Sequence, residues 1–142
     1  MKKVPFNHIF IIFFAFFISG SSNSKVSLNK LLKKYEWKKR VVLVIESKET
    51  NYLIREVIKF FKTYNCENRL RKMELIKIYS KNINNYDLPN RFKNKYGVWL
   101  IGYDGDIKGH SFDHSLLKKL HDIIDLMPIR KMEMAQEKPK CK

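Results

Sequence analysis

The chain has little cysteine, and its cysteines do not form a redox motif. Its 142 residues include two, Cys66 and Cys141, which stand far apart. A Cys-x-x-Cys pair is therefore absent, and with it the usual site of thiol–disulfide exchange. The chain also lacks a Gly-x-Ser-x-Gly elbow, a P-loop and a His-Glu-x-x-His zinc motif. Because a hydrolase needs a nucleophile with a base beside it, no hydrolase site is indicated.

Acidic residues are also scarce: the chain has 14 Asp and Glu residues and 29 Lys and Arg residues, which gives a formal charge of +15. Such a chain can bind nucleic acid, anionic membranes or acidic polymers. Most lysines are scattered, which is typical of a solvated surface. The densest cluster, residues 33–40, mixes four lysines and Arg40 with Tyr35 and Trp37. This mixture suits single-stranded nucleic acid, but the N-terminus predicts export, so we expect no nucleic-acid partner.

Long apolar runs are absent after the N-terminus. The one such run, Ile9–Ile18, follows Lys2 and Lys3 and precedes small polar residues. That is the layout of a secretory signal peptide, and the run is shorter than the ~20 residues of a spanning helix. We therefore predict a signal peptide over 1–24, cleaved after Ser22 or Ser24. The mature protein is then periplasmic or extracellular and has no transmembrane segment.

The remaining chain divides into one domain and a tail. Residues 135–142 carry a proline among lysines and show no apolar periodicity, which predicts a disordered basic tail. Residues 25–134, roughly 110 positions, are enough for one small domain with one core.

Apolar periodicity predicts the elements of this domain. Ser27 can cap a helix, and strands are expected at 41–45 and 73–79, joined by a helix over 50–63. A polar break covers 64–68. We expect a short helix over 88–95 and then a hairpin that turns at Asp104-Gly105. The last helix is capped by Asp113 and ended by Met127-Pro128. The order α-β-α-β-(α)-β-β-α predicts an α/β fold: a small mixed sheet (βαβ…ββα) flanked by helices.

Three segments sharpen this prediction: YEWKKRVVLVIES, VWLIGYDGDIKGHS and IIDLMPIRKMEM. Together they resemble the bacterial domain-of-unknown-function family four-one-seven-four, over about residues 27–134. That family is similar to the terminal domains of vertebrate sushi-repeat extracellular proteins. The resemblance implies a thioredoxin- or peroxiredoxin-like fold, export, and no established activity.

The junction after the first strand decides the functional prediction. Thioredoxins keep their cysteines there, whereas this chain has Glu46, Ser47, Lys48, Glu49 and Thr50. We therefore predict a thioredoxin-like module that is non-catalytic, needs no cofactor, and binds an unknown protein or envelope component. One alternative is a divergent thiol oxidoreductase or peroxidase using Cys66. A second is a basic domain that associates with anionic envelope surfaces.

The remaining candidate ligands and thiols receive simpler interpretations. An even cysteine count outside the cytoplasm permits a disulfide, but a flexible tail gains little from one, so we expect free or incidental thiols. His110, His114 and His121 do not have the spacing of convergent zinc ligands, and we expect no metal.

The signature residues allow two readings. Arg130 lies between Asp125 and Glu133, just after Pro128, and we predict an arginine–carboxylate clamp that fixes the chain end. The functional alternative is a recognition groove of Trp37, Arg40 and Arg130. The remaining signature residues, Asp104 and Gly105, form the hairpin turn.

Overall fold

The computed structural model describes residues 24–136 and Cys141. Its elements are β1 (Val26–Ser27), α1 (Leu28–Lys33), β2 (Arg40–Ile45), α2 (Leu53–Thr63), α3 (Asn65–Leu70), β3 (Met73–Ile78), a 3₁₀ helix (Ser80–Asn85), β4 (Tyr86–Asp87), β5 (Gly97–Ile101), β6 (Ile107–Ser111), a second 3₁₀ helix (His114–Lys119), α4 (Leu120–Asp125) and α5 (Pro128–Gln136). The predicted signal peptide, apart from Ser24, lies outside the described residues. Within the described ranges, no helix is long and apolar enough to cross a membrane.

The main sheet has four strands in the order β3-β2-β5-β6. Strand β2 pairs in parallel with β3, where Arg40 is opposite Met73, and antiparallel with β5, where Leu43 is opposite Trp99. Strand β6 continues the sheet as the second arm of the hairpin. The predicted fold class is thus confirmed: an α/β domain with a small mixed sheet flanked by helices, consistent with a thioredoxin-like fold.

Both faces of the sheet are covered, which explains why β2 reads as a continuous apolar run. Successive side chains of a strand point to opposite faces. Val42 and Val44 therefore pack with α2, the second 3₁₀ helix and α4. Val41, Leu43 and Ile45 pack on the other face, against α1 and the residues that follow β4. The buried cluster on this face consists of Leu28, Leu32, Val41, Leu43, Ile45, Ile76, Ile78, Phe92, Trp99 and Ile101.

Two predicted caps are present in the structure. Ser27 Oγ accepts a hydrogen bond from the Lys30 amide at 3.4 Å, and Asp113 Oδ1 accepts one from the Ser115 amide at 2.9 Å. Asp113, however, begins a 3₁₀ helix, and α4 follows it. Leu126 and Met127 separate α4 from α5, and Pro128 is the first residue of α5, a position that tolerates its missing N–H.

The region between α2 and β5 differs from the prediction. Residues 65–70 form α3 instead of a polar break; its polar sequence has no apolar stripe, and Asn68 is its buried residue. The helix expected over 88–95 is a turn, in which the Pro89 carbonyl accepts hydrogen bonds from the amides of Phe92 and Lys93. Asn94 ends it in the left-handed region at φ 56°. Strands β1 and β4, which pair in parallel, were not predicted.

The expectation of free thiols is wrong, because Cys66 and Cys141 form a disulfide with an S–S distance of 2.05 Å. Helix α5 continues to Gln136, two residues beyond the expected domain end. Only four residues then separate this helix from Cys141. The conformational entropy that is lost when Cys141 is fixed by the disulfide therefore involves few residues. Of the predicted disordered tail, residues 135 and 136 are helical, Cys141 is bonded, and the rest lies outside the described residues.

Candidate functional site

The strand-to-helix junction, residues 46–52, is closed by its own polar side chains. The Ser47 amide donates to Thr50 Oγ1 at 2.9 Å, and the Thr50 amide donates to Ser47 Oγ at 3.1 Å. Glu46 and Ser47 are buried. These hydroxyl groups therefore satisfy the loop backbone ahead of α2, and no thiol lies in this segment.

A buried carboxylate, Glu133 on α5, lies at the centre of an ionic network. Its Oε1 accepts a hydrogen bond from the Tyr103 hydroxyl at 2.7 Å and lies 3.4 Å from Lys72 Nζ. Its Oε2 lies 3.1 Å from Arg40 Nη1 and 3.5 Å from Arg130 Nη1. The single negative charge of Glu133 is thus shared by three cations: Arg40 of β2, Lys72 of the turn before β3, and Arg130 of α5.

Arg130 links α5 to the preceding helices. Its Nη1 donates to the Leu70 carbonyl at 3.0 Å, and its Nε lies 3.4 Å from Asp125 Oδ1. Arg71 holds the same carboxylate in a bidentate manner, with Nε 3.0 Å from Oδ1 and Nη2 2.6 Å from Oδ2. These are the contacts that a clamp on the chain end requires.

The protonation states follow from burial and these partners. Burial alone would raise the pKa of Glu133, but the Tyr103 hydrogen bond and the Arg40 charge together hold it below its ordinary value. Burial raises the pKa of Tyr103, and its hydrogen bond to Glu133 raises it further. At neutral pH the pair is therefore an ionised carboxylate that accepts a hydrogen bond from a neutral phenol.

A cavity of about 130 Å³ lies beside this network. It is formed by the turn before β2, the hairpin and the first turn of α5, through Trp37, Arg40, Gly102, Tyr103, Asp104, Lys108, Met127, Pro128 and Ile129. Trp37 is 69% exposed and adopts φ 59°, a left-handed conformation that is uncommon for a bulky residue. Its amide donates to the Tyr103 carbonyl at 2.8 Å. The rim of the cavity thus carries an exposed indole in a strained backbone.

Arg40 forms part of the cavity wall although it is only 1% exposed. Its guanidinium carbon lies 4.2 Å from the centre of the Tyr103 ring, and its Nη1 also donates to the Arg71 carbonyl at 2.9 Å. Among the described residues, its Nε and Nη2 have no hydrogen-bond partner. One edge of this buried cation is therefore not used by the described part of the protein.

The hairpin residues mainly stabilise their own turn. Asp104 Oδ1 accepts a hydrogen bond from the Asp106 amide at 3.1 Å, and Asp104 Oδ2 accepts one from Lys108 Nζ at 2.6 Å. Gly105 adopts φ 78°, which favours glycine, and its carbonyl accepts a hydrogen bond from Arg91 at 2.9 Å. Asp104 contributes to the cavity wall as well.

The three candidate histidines are dispersed. His110 stacks on Trp99 with ring centres 4.4 Å apart, and His121 Nε2 lies 2.7 Å from Asn68 Oδ1. His114 meets Tyr52 edge to face. In the part of the chain that the structure describes, no three His, Cys, Asp or Glu residues are grouped as metal ligands.

The structure brings most signature residues into one region. Arg40, Asp125, Arg130 and Glu133 belong to the network, whereas Trp37, Asp104 and Pro128 line the cavity together with Arg40. Arg130 is not among the residues that line the cavity, so the structure brings Trp37 and Arg40 together there without Arg130, and the groove of all three stays a prediction. Sequence reasoning missed Tyr103, Arg71 and Lys72. The sequence pattern that could have indicated them is their place beside the predicted strands, since Arg71 and Lys72 precede the strand at 73–79 and Tyr103 precedes the hairpin turn.

Comparison with known proteins identifies a family. The family model described as domain of unknown function (DUF4174) matches residues 31–133, which is more than half of the chain. The matched range includes both the network and the cavity, and it ends before Cys141. No curated protein matches the chain, and no solved structure matches it.

Proposed function

We propose that this chain, which belongs to the DUF4174 domain family, is an exported, non-catalytic module that binds a partner through the surface around the Arg40 cavity. The observation that carries the proposal is a cavity of about 130 Å³ that has the exposed indole of Trp37 at its rim and the buried cation Arg40 in its wall. Arginine and tryptophan are typical anchors of binding interfaces. Arg40 is held by Glu133 of α5 and by the Arg71 carbonyl, and the Trp37 backbone is held by its amide hydrogen bond to the Tyr103 carbonyl. Such support is what a preorganised site requires.

The absence of thiol chemistry at the junction supports a non-catalytic role. Thiol–disulfide exchange needs an activated thiolate, usually at the N-terminus of a helix. Here the corresponding segment uses Ser47 and Thr50 to close its own loop. Cys66 is paired with Cys141, so a peroxidase that used Cys66 would first require reduction of this disulfide.

The proposal is tested by measuring turnover with dithiothreitol as reductant and either a mixed disulfide or hydrogen peroxide as substrate. The wild-type protein is compared with the double variant Cys66→Ser, Cys141→Ser. We expect both proteins to give the rate of the protein-free blank. Turnover above the blank that disappears in the double variant would contradict the proposal and support the oxidoreductase alternative.

A second candidate function has its own structural support. A concave surface of about 420 Å³ is lined by four basic residues, Lys38, Lys39, Arg69 and Lys72, together with Phe61, Asn65, Asn68 and Met73. Such a surface suits an anionic envelope polymer or lipid headgroup. Binding of this kind weakens steeply with salt.

Co-sedimentation with vesicles distinguishes this second candidate. Vesicles with anionic lipid are compared with neutral vesicles at low and high salt, using wild type and the double variant Lys38→Gln, Arg69→Gln. The second candidate requires binding to anionic vesicles that salt and the variant both reduce. Equal sedimentation with neutral and anionic vesicles would contradict it.

A further inference from the structure

We propose that one end of the sheet binds the surface of an anionic lipid bilayer, with the apolar rim of the Arg40 cavity inserted at the level of the headgroups. This inference rests on the proposed binding function and names the partner. It joins the cavity to the neighbouring basic surface, so that both meet the same bilayer. The cations of the basic surface are Lys38, Lys39, Arg69 and Lys72.

The cavity and the basic surface lie at the same end of the sheet. Strands β2 and β3 are parallel and begin there, and β5 is antiparallel to β2 and ends there. Arg40 in the cavity wall is opposite Met73, which lines the basic surface, and the Arg40 amide donates to the Lys72 carbonyl at 2.9 Å. In the turn before β2, Trp37 lines the cavity and the next residue, Lys38, lines the basic surface. The two surfaces are therefore adjacent, and a single extended partner can contact both.

The rim of the cavity is apolar and accessible. Four side chains form this apolar rim: Trp37, Met127, Pro128 and Ile129. Trp37 is largely exposed and Ile129 is 38% exposed, so a bilayer can contact both without displacing other parts of the fold. Transfer of such side chains out of water is favourable, which supports insertion. Arg40 lies buried in the cavity wall, and insertion of the rim requires no contact with it.

The charge at this end of the sheet is positive. Among the described residues, the basic surface is lined by four cations and by no acidic residue, and its cations Lys38 and Arg69 are exposed. Carboxylates at the same end are already held in ion pairs, such as Glu74 with Lys39 and Glu133 with Arg40. Each basic residue beside an anionic surface adds to the attraction, and the formal charge of +15 extends it to longer range.

The combination of an apolar rim with cations favours a bilayer over a protein partner. Tryptophan beside basic residues is typical of surfaces at a membrane–water interface, where the indole ring lies at the level of the headgroups. A cavity of about 130 Å³ is well below the several hundred Å³ of a typical ligand pocket, so it offers no extended groove for a peptide. A bilayer requires only a shallow apolar contact beside positive charge, and the structure provides both.

Quenching by brominated lipids tests the insertion directly. The protein is purified from cells that express the full chain and is mixed with vesicles whose acyl chains carry bromine close to the headgroup. Anionic vesicles contain phosphatidylglycerol and phosphatidylcholine, and neutral vesicles contain phosphatidylcholine alone. The chain has two tryptophans, of which Trp99 is buried in the core. We expect anionic vesicles to quench the wild-type emission, whereas Trp37→Phe, which keeps only Trp99, should not be quenched.

A matched pair of exposed aromatic residues tests the apolar rim. Trp37 is 69% exposed and Phe112 is 72% exposed, but Phe112 lines neither the cavity nor the basic surface. We expect Trp37→Ser to weaken co-sedimentation with anionic vesicles by about tenfold or more, because a large apolar contact is lost. Phe112→Ser should bind as wild type does, and melting curves show whether both variants remain folded.

Two double variants test the position of the charge. Lys38→Gln, Arg69→Gln removes two cations from the basic surface. Lys93→Gln, Lys95→Gln removes two that precede β5, at the opposite end of the sheet. We expect the first to weaken binding to anionic vesicles by about tenfold or more, since each basic residue beside the bilayer contributes. The second should have a smaller effect, because it changes only the overall charge.

Several results would overturn the proposal. Co-sedimentation without quenching of Trp37 would mean that only the basic surface contacts the headgroups. Equal co-sedimentation with neutral and anionic vesicles, or equal losses in the two double variants, would refute a role for the charge at this end of the sheet. No co-sedimentation even at low salt would exclude a bilayer, and binding of soluble polyglutamate would then assign the surface to an acidic polymer. None of these results alters the non-catalytic assignment, because the thiol turnover assays test that separately. Conversely, thiol turnover together with insertion into vesicles would contradict only the non-catalytic assignment.

Discussion

The substitution Glu133→Gln removes the carboxylate at the centre of the ionic network while keeping the shape of the side chain. It leaves Arg40, which is almost fully buried, without its acidic partner. Removing one member of a buried ion pair destabilises a protein by about 3–5 kcal/mol. For a domain of this size, about 4 °C of melting temperature corresponds to 1 kcal/mol. We therefore expect the melting temperature to fall by about 12–20 °C.

A control with the same chemical change comes from Glu74. Its carboxylate pairs with Lys39 at a partly exposed site on β3. Exposed ion pairs contribute about 0–1 kcal/mol, so Glu74→Gln should lower the melting temperature by only a few degrees. Circular dichroism and urea unfolding measure both variants. Equal, small losses in the two variants would refute the central position of Glu133.

The pH dependence provides an independent check of the same network. Because the folded-state pKa of Glu133 lies below its ordinary value, the folded state favours the ionised form. Its stabilisation is present above the unfolded-state pKa and is lost as pH falls through the lower folded-state pKa. The difference in unfolding free energy between wild type and Glu133→Gln should therefore be constant near neutrality and shrink below about pH 4. A constant difference at all pH values would contradict this assignment.

Three further predictions concern other parts of the fold. The double variant Cys66→Ser, Cys141→Ser removes the disulfide, which closes a separation of 75 residues, and should lower the unfolding free energy measured in urea by about 4 kcal/mol. A reductant should lower the stability of wild type but not that of the variant. If the reductant still lowers the stability of the variant, the assignment of the stabilisation to this disulfide is contradicted. Trp37→Gly relieves a left-handed backbone strain of about 1–2 kcal/mol, so this variant should be no less stable than wild type. The control Phe112→Gly changes an exposed residue without that strain and should be less stable than wild type by about 0.5–1 kcal/mol. Thermal melting compares the two variants, and the reverse order of stability would contradict the strain at Trp37. Burial, reinforced by the Arg71 charge, lowers the pKa of His121 in the folded state. Wild type should therefore lose stability as pH falls below about 6.5, the pKa of histidine in the unfolded state. His121→Gln should lack this loss in urea unfolding measured between pH 7 and 5, and parallel profiles of stability against pH in the two proteins would contradict the prediction.

Much of the sheet could be predicted because local pattern and tertiary context agree. The run at 41–45 is apolar throughout since both faces of β2 are covered, and the periodicity at 53–61 matches the buried side of α2. The Asp104-Gly105 turn sets the hairpin. The parallel pairing of β2 and β3 then follows from the connection through α2 and α3.

The unpredicted features depend on contacts between residues distant in sequence. Arg40 ends a basic stretch that looks solvent-exposed, yet its position opposite Met73 in the sheet places it inside. Tyr103 lies in the turn after β5, and its hydroxyl donates to Glu133, 30 residues later in the chain. Helix α3 has no apolar stripe, so periodicity does not reveal it, and its disulfide depends on where α5 leaves the chain end.

The most direct measurement of the central claim is the intact mass of the protein purified from cells that express the full chain, with and without reduction before thiol alkylation. We expect a mature chain that begins at Asn23 or Lys25. We also expect no alkylated thiol before reduction and two after it, because Cys66 and Cys141 are paired. A chain that retains Met1, or a free, mixed-disulfide or oxidised Cys66, would contradict an exported module with a structural disulfide.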